Sequence, residues 1–446
     1  MRIQLSDHFT YKRLLQFVLS PVLMMICTSL YSIVDGFFVS NYVGKTPFAA
    51  VNLVMPVCMA LGAIGTMIGT GGSAVVSQAL GEGKKEKANQ YFSMLVYFAV
   101  VLSIVLSLIG FVFAEPISVL LGAEGELLQN CVVYSRLLYF ALTPFVLQNI
   151  FQSFFVTAEK PSLSLKVSVA AGVTNVVLDY LFIAVFRWGI AGAALATGIG
   201  QLVGGIIPLV YFLRKNDSLL HLTKAMPDRR ILLKTFGNGS SEMVTNLSTS
   251  LINILYNFQL MKLAGENGVA AYGIIMYVNF VFMAIFFGYS IGSAPVIGYH
   301  YGAGNYRELR NLYGKSLVLM GGSGLLLTLL AELLTVPLVA VFASYDAELF
   351  AMTCHGFRLY AIAFAVMGIN VWGSAFFTAL GSGLISAVIS FMRTLVFQII
   401  VITILPVLMG IDGIWLAIAV AEFLALLVTV IFFVANKEKY HYSVGR

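Results

Sequence analysis

Charge is scarce in this sequence. Asp, Glu, Lys and Arg make up 10% of its 446 residues and hydrophobic residues 59%, against roughly 25% charged in ordinary soluble domains. With a mean hydropathy of +0.92, there is too little polar surface to coat a water-soluble fold, which excludes a soluble core protein. Cysteine is equally thin: Cys27, Cys58, Cys131 and Cys354 are scattered and form no CxxC pair, which excludes a disulfide scaffold and a thiolate metal site. The five histidines, His8, His221, His300, His355 and His441, fall in loops, tails or span ends and receive no role. No GxxxxGK[ST] loop is present to cradle a nucleotide phosphate.

What the sequence has is apolar runs of about 20 residues or more, the length a helix needs to cross roughly 30 Å of hydrocarbon at 1.5 Å per residue. They fall near 14–40, 48–78, 91–114, 128–157, 163–186, 190–213, 235–262, 269–299, 314–341, 350–380, 384–409 and 412–435. The fold class is therefore an all-α polytopic membrane protein with twelve spans. The first run has no small-residue cleavage site and carries a charge, so it reads as a retained helix and not a signal peptide.

The net charge of +6 is explained by topology and not by a nucleic-acid partner. Twenty of the 26 basic residues, from Arg2 through Lys84, Lys85 and Arg229 to Arg446, fall on one side of the spans. Lys45, Arg136, Arg187, Lys262 and Arg358 fall on the other, and Arg393 lies inside a span. Basic loops face the cytoplasm, so both termini are expected there, which requires an even number of spans.

The chain also repeats itself. Gly81 and Gly83 match Gly302 and Gly304 at a separation of 221 (302 minus 81), and Ala49 and Ala50 match Ala270 and Ala271. The register holds at Phe155, Thr157 and Ala158 with Phe376, Thr378 and Ala379, and at Gly192, Leu195 and Ala196 with Gly413, Leu416 and Ala417; Arg136 and Leu137 match Arg358 and Leu359 with one residue of slippage. Six spans per half make this a parallel repeat about an axis along the membrane normal. The expected divisions are a six-helix lobe over 1–213, a cytoplasmic linker over 214–234 and a second lobe over 235–446. Two lobes around a central cavity provide for alternating access, in which one rocks against the other.

An ionisable group inside a span costs about 2.5–3.5 kcal/mol on insertion scales, so each needs a partner or a wet cavity. The first half holds Asp35 in span 1 and Asp179 in span 5, with Asn175 one turn before Asp179 on the same face. Counting inward from the outer ends, these three and Thr197 of span 6 lie at one level. Two carboxylates, an amide oxygen and a hydroxyl suit Na+. They suit a proton equally, because two close carboxylates in low dielectric cannot both stay ionised. The second half holds Glu242, Arg393 and Glu422. Arg393 and Glu422 are at similar depth on consecutive spans and are expected to form a structural ion pair, whereas Glu242 has no evident partner at its level and reads either as a second-lobe proton or cationic-substrate site or as a residue facing the cytoplasmic vestibule near the inner end of span 7.

The glycine clusters over 62–72 and 198–205 lie within spans, where they permit close helix packing and are not phosphate loops. Pro21 is expected to kink span 1. The polarizable and aromatic residues Met24, Tyr31, Tyr256, Met276 and Tyr277, with Phe258 and Phe280, are candidate walls of a cavity for varied apolar cations.

Four segments, VDGFFVSNYVG (34–44), GTGGSAVVSQALGEGKKEKAN (69–89), NVVLDYLFI (175–183) and GIAGAALAT (189–197), resemble the multidrug and toxic compound extrusion (MATE) transporters, in or near the MepA-like and DinF-like branch. The resemblance covers nearly the whole chain. It implies twelve helices in two lobes and export of organic cations in exchange for Na+ or H+. It also implies a first-lobe cation site at Asp35, Asn175, Asp179 and Thr197. Other branches carry acidic residues on helices 7 and 10; Glu242 corresponds to the former, but span 10 has no central carboxylate here, which favours the first lobe.

The expected function is therefore a cation-coupled antiporter of a bacterial plasma (inner) membrane, exporting small-molecule organic cations, in contact with membrane lipid, acting as a monomer and without cofactor or catalytic residues beyond the coupling ion. The alternative, a lipid-linked oligosaccharide flippase of the same superfamily, calls for a strongly cationic cavity, and only Arg393 is deep. A membrane prenyltransferase would need paired Asp-rich motifs that the sequence lacks.

Overall fold

The computed structural model describes residues 3–344 and 346–443; Arg2 and Arg446, both counted among the basic residues above, lie outside them. The described chain is helical throughout. Span 1 is Tyr11–Tyr42, span 2 Lys45–Gly81 and span 3 Lys85–Val112, followed by a short helix, Ala114–Leu120. Span 4 is a pair of helices, Gly125–Phe140 and Leu142–Thr157, bent by 54°. Span 5, Pro161–Asp179, continues as a π-helical turn over Tyr180–Val185, and span 6 is Gly189–Leu213.

The second half repeats this plan. A single helical run, Arg229–Gly302, is 74 residues long, about 110 Å at 1.5 Å per residue and far too long for one crossing. It is broken at Gly265, whose φ of +63° only glycine adopts readily, so it supplies spans 7 and 8. Span 9 is Tyr306–Ala343. Span 10 is the pair Ala347–Ala361 and Phe364–Ala379, bent by 51°. Span 11 runs Gly383–Phe391, a π-helical turn Met392–Val396 and Phe397–Met409; span 12 is Ile411–Asn436. Nine helices among the described residues are long and apolar enough to cross a membrane, the two bent pairs raise the number to eleven, and dividing the long run at Gly265 gives twelve.

Local sequence accounts for the boundaries. Asp228 caps the long run by accepting from Arg230 N and Ile231 N, so the non-helical connection between the halves ends there. The bend in span 4 follows from Pro144, which donates no hydrogen bond to the carbonyl one turn back. Span 1, in contrast, is one continuous helix across Pro21. Span 8 closes against that point at Gly288, where a Cβ would stand 2.8 Å from the Pro21 carbonyl oxygen. Outward-facing rows such as Leu325, Leu329 and Leu333 on span 9 are exposed at one-turn spacing, the pattern of a helix bathed in lipid.

Both described termini lie on one face, and on that face the two lobes are shut. The 221-residue register is visible in three dimensions: Gly81 lies on Tyr299 and Gly302 on Gln78, each so close that a Cβ would meet backbone. Gly83 and Gly304, at the same offset, both take positive φ to turn the chain after spans 2 and 8. The amino-terminal segment straps this face. Leu5 N donates to Glu159 Oε1 of the first lobe at 2.7 Å, and Phe9 N to Glu308 Oε1 of the second at 2.8 Å. His8 Nδ1 is 2.6 Å from the other Glu308 oxygen.

Candidate ion site and inter-lobe cavity

Spans 1, 5 and 6 bring the four first-lobe polar groups together. Thr197 Oγ1 donates to Asp35 Oδ1 at 3.4 Å, and Asp35 also has Asn175 and Asp179 within side-chain reach. Asp179 is fully buried, Asn175 is 4% exposed and Asp35 8%. Small residues make the approach possible: Gly200 of span 6 leaves room for Asn175, and Gly172 of span 5 for the Tyr31 ring. Asp179 is the last α-helical residue before the π turn, an irregularity frequent at functional sites.

The site is incomplete in its hydrogen bonding. Both Asp179 carboxyl oxygens and both amide atoms of Asn175 are buried without a hydrogen-bond partner, an expensive arrangement in low dielectric. Asp35 and Asp179 act on each other electrostatically, and two ionised carboxylates side by side in low dielectric would need a positive charge between them. A shared proton or a monovalent cation held by carboxylate, amide and hydroxyl oxygens meets that need, and the donor set fits either. Asp35, Asn175 and Thr197 open on a cavity of about 120 Å³ that Tyr31, Gln148 and Gln201 also line.

A second cavity, about 200 Å³, lies between the lobes. Its walls come from span 1 (Met25), span 2 (Thr66, Thr70, Ser73), span 4 (Asn149, Gln152), span 7 (Glu242, Thr245), span 8 (Phe287, Ser290), span 10 (Ser374, Thr378) and span 11 (Ser390, Arg393). The carboxylate of Glu242 and the guanidinium of Arg393 are the charged groups on this wall. Arg393 Nε donates to Glu422 Oε1 at 2.8 Å, Glu422 Oε2 accepts from Asn370 Nδ2 at 2.8 Å, and Thr429 donates to Asn370 Oδ1 at 3.1 Å. Span 10, which carries no central carboxylate, contributes Asn370, whose amide holds Glu422.

The aromatic and methionine candidates lie elsewhere. Met24 is fully buried within the first lobe, its sulfur accepting from Ser164 Oγ; its neighbour Met25 reaches the cavity instead. Tyr31 lines the ion-site cavity. Tyr256 is buried in the second lobe, stacked on Tyr272 and donating to Gln398. Met276 packs against the core, while Tyr277, Phe258 and Phe280 are exposed, Tyr277 stacked on Phe342. Residue chemistry locates the helices that carry these side chains but not the rotation of each helix about its axis, and of these candidates only Tyr31 is among the residues lining either cavity. Sequence reasoning missed the hydroxyls and amides of the wall; their recurrence at one-turn spacing in apolar spans, as in Thr66, Thr70 and Ser73, was the available signal.

Comparison with known proteins agrees with this architecture. Multidrug export protein MepA of Staphylococcus saprophyticus is 24% identical over 415 residues, covering 92% of this chain and 91% of its own. MepA of Staphylococcus aureus strain MW2 is 22% identical over 418 residues, covering 94% and 92%. Among solved structures, MATE in complex with MaL6 superposes with a TM-score of 0.92 at 22% identity, and an outward-facing multidrug resistance MATE family transporter with 0.90 at 23%; each match covers 98% of both chains. These show the fold. The MatE family model matches twice, over residues 21–181 and 243–404, starting 222 residues apart (243 minus 21) in keeping with the internal repeat, and this multi-pass membrane protein belongs to the MatE family.

Proposed function

We propose that the chain is an antiporter that exports small organic cations from a bacterial cell, driven by Na+ or H+ entering through the first lobe. The observation that carries this reading is the separation of two sites: a buried oxygen cluster at Asp35, Asn175 and Asp179, with the Asp179 carboxylate atoms unpartnered, and an inter-lobe cavity with a carboxylate, Glu242, on its wall. The basic residues orient both termini to the cytoplasm, so the shut face is the cytoplasmic one and this conformation is outward-facing. In it an ion from outside enters the first-lobe cluster and satisfies the orphaned oxygens. Binding there favours the state that lets the lobes rock and recapture substrate from the cytoplasm. A potential of 100 mV supplies about 2.3 kcal/mol per charge, enough to bias states separated by a few kcal/mol. The relatives' export role supports the reading, as does the cavity's arginine, Arg393, already neutralised by Glu422. The protein is expected to work as a monomer in the plasma membrane.

The test is ethidium efflux from proteoliposomes under separately imposed Na+ and proton gradients, comparing the parent with Asp35→Asn. Efflux driven by one gradient and lost in the variant identifies the coupling ion. Unchanged efflux in the variant removes Asp35 from the mechanism, and no efflux from the parent under either gradient refutes the function.

A further inference from the structure

Glu242 and Arg393 share the wall of one cavity, and Arg393 is the charged group whose field falls on Glu242. Among the described residues Glu242 nevertheless makes no ion pair; Arg393 is bound by Glu422 instead. Arg393 is 7% exposed and Glu422 1%. The arrangement is braced behind the cavity: Asn370 Nδ2 holds both the Glu422 carboxylate and its backbone carbonyl at 2.8 Å, and Thr429 fixes Asn370. The arginine sits in the π-helical turn Met392–Val396, at a break in the regular ladder that sets where its side chain leaves span 11.

The charge count decides what this does. With Glu422 ionised, Arg393 contributes nothing net, and the cavity carries the single negative charge of Glu242. With Glu422 neutral, the guanidinium becomes the counter-ion of Glu242, and a cationic substrate must then compete with a tethered one. We propose that Glu422 is a positioning residue that withholds Arg393 from Glu242 and so sets the charge selectivity of the inter-lobe cavity. The inference rests on the export reading above, because it takes that cavity to be the substrate site.

The experiment uses the purified full-length chain and two fluorescent probes: ethidium, a cation, and N-phenyl-1-naphthylamine, which is neutral. E422Q, close in shape to the parent, is expected to weaken ethidium binding about tenfold while leaving the neutral probe within about twofold. E422Q/R393Q, which removes the freed charge as well, is expected to restore ethidium affinity to within about threefold of the parent. A purely structural role for Glu422 would weaken both probes and would not be rescued by a second substitution. Ethidium binding by E422Q equal to the parent's, or a double variant as weak as the single one, overturns the inference while leaving the export reading intact. A parent that does not bind ethidium overturns both. Should E422Q not fold, R393Q decides: it must bind ethidium at least as tightly as the parent, and weaker binding overturns the proposal.

Discussion

The glycine crossing that shuts the lobes on the terminal face offers a direct perturbation. A Cβ added at Gly302 would stand 2.8 Å from Gln78 Cα and closer still to its carbonyl oxygen, and one added at Gly81 would stand 2.8 Å from Ala303 N. Ordinary carbon contacts lie at about 3.5–4.0 Å, so the backbones of spans 2 and 8 must separate by about 1 Å, and no side-chain rotation relieves a clash with backbone. The crossing is tied down nearby: Gln78 Nε2 donates to Ala379 O at 2.8 Å, and Lys234 Nζ reaches Gln78 Oε1 at 3.4 Å. Overpacking of this kind costs about 1–3 kcal/mol. The cost falls on the closed face alone, so Gly302→Ala is expected to shift the equilibrium towards opening of that face by about 5- to 150-fold. Spin labels at Glu82→Cys and Ala303→Cys, both exposed, placed in a background lacking the native cysteines, report the separation by pulsed EPR. Gly302→Ala should populate longer distances. Gly322→Ala, where nothing lies within 4 Å of an added Cβ, should not. Coincident distance distributions for Gly302→Ala and the parent would refute the claim that this crossing closes the lobes.

Two further outcomes follow from the same geometry. Gly200→Leu drives a side chain into Asn175, whose Cβ already lies 3.1 Å from a Cβ built on Gly200; ion-driven efflux should fall at least tenfold, about 1.4 kcal/mol, while ethidium binding to the inter-lobe cavity persists, and loss of both would argue against two separate sites. Glu308→Ala removes the acceptor shared by Phe9 N and His8, so stability should drop by about 1.5–3 kcal/mol for a charged hydrogen-bonded group; trypsin should then cut at Lys12 and Arg13 faster than in the parent, and unchanged cleavage would show that the strap is held otherwise.

The spans were legible because lipid imposes a length and a hydropathy that no other solvent does. Their breaks were only partly so. Pro144 marks the bend in span 4, but the bend at Ile362 and Ala363 in span 10 carries no proline and reads from sequence as one run. Asp35, Asn175, Asp179 and Thr197 stood out because carboxylates inside an apolar span demand an explanation and their depths agree. The cavity wall did not stand out because serine and threonine in a helix satisfy themselves: Thr70 donates to the Thr66 carbonyl and Thr378 to that of Ser374, so their composition is the same whether they face lipid or cavity. The approach of Arg393 towards Glu242 was hidden for another reason. It depends on how spans 7 and 11 pack against each other within the second lobe, which no single span encodes.

Span 1 is the element through which the two sites can act on one another. Its middle supplies Met25 to the inter-lobe cavity, and the half farther from the terminal face supplies Tyr31 and Asp35 to the ion-site cavity; Met25 and Asp35 are ten residues, about 15 Å, apart on one continuous helix. Between them Ser29 Oγ donates to the Phe280 carbonyl of span 8 at 3.3 Å, and nearer the terminal face span 8 packs on span 1 through Gly288 and Gly292. On the coupling proposed above, an ion that drew Asp35 towards Asp179 would pull on a rod whose other contacts belong to the opposite lobe. Coupling of this kind needs no chain of intermediates, only a helix stiff enough to share a displacement and an interface with two stable arrangements. The repeated glycines of spans 2 and 8 are where such an interface would part, because a contact this close leaves no room for a partial displacement.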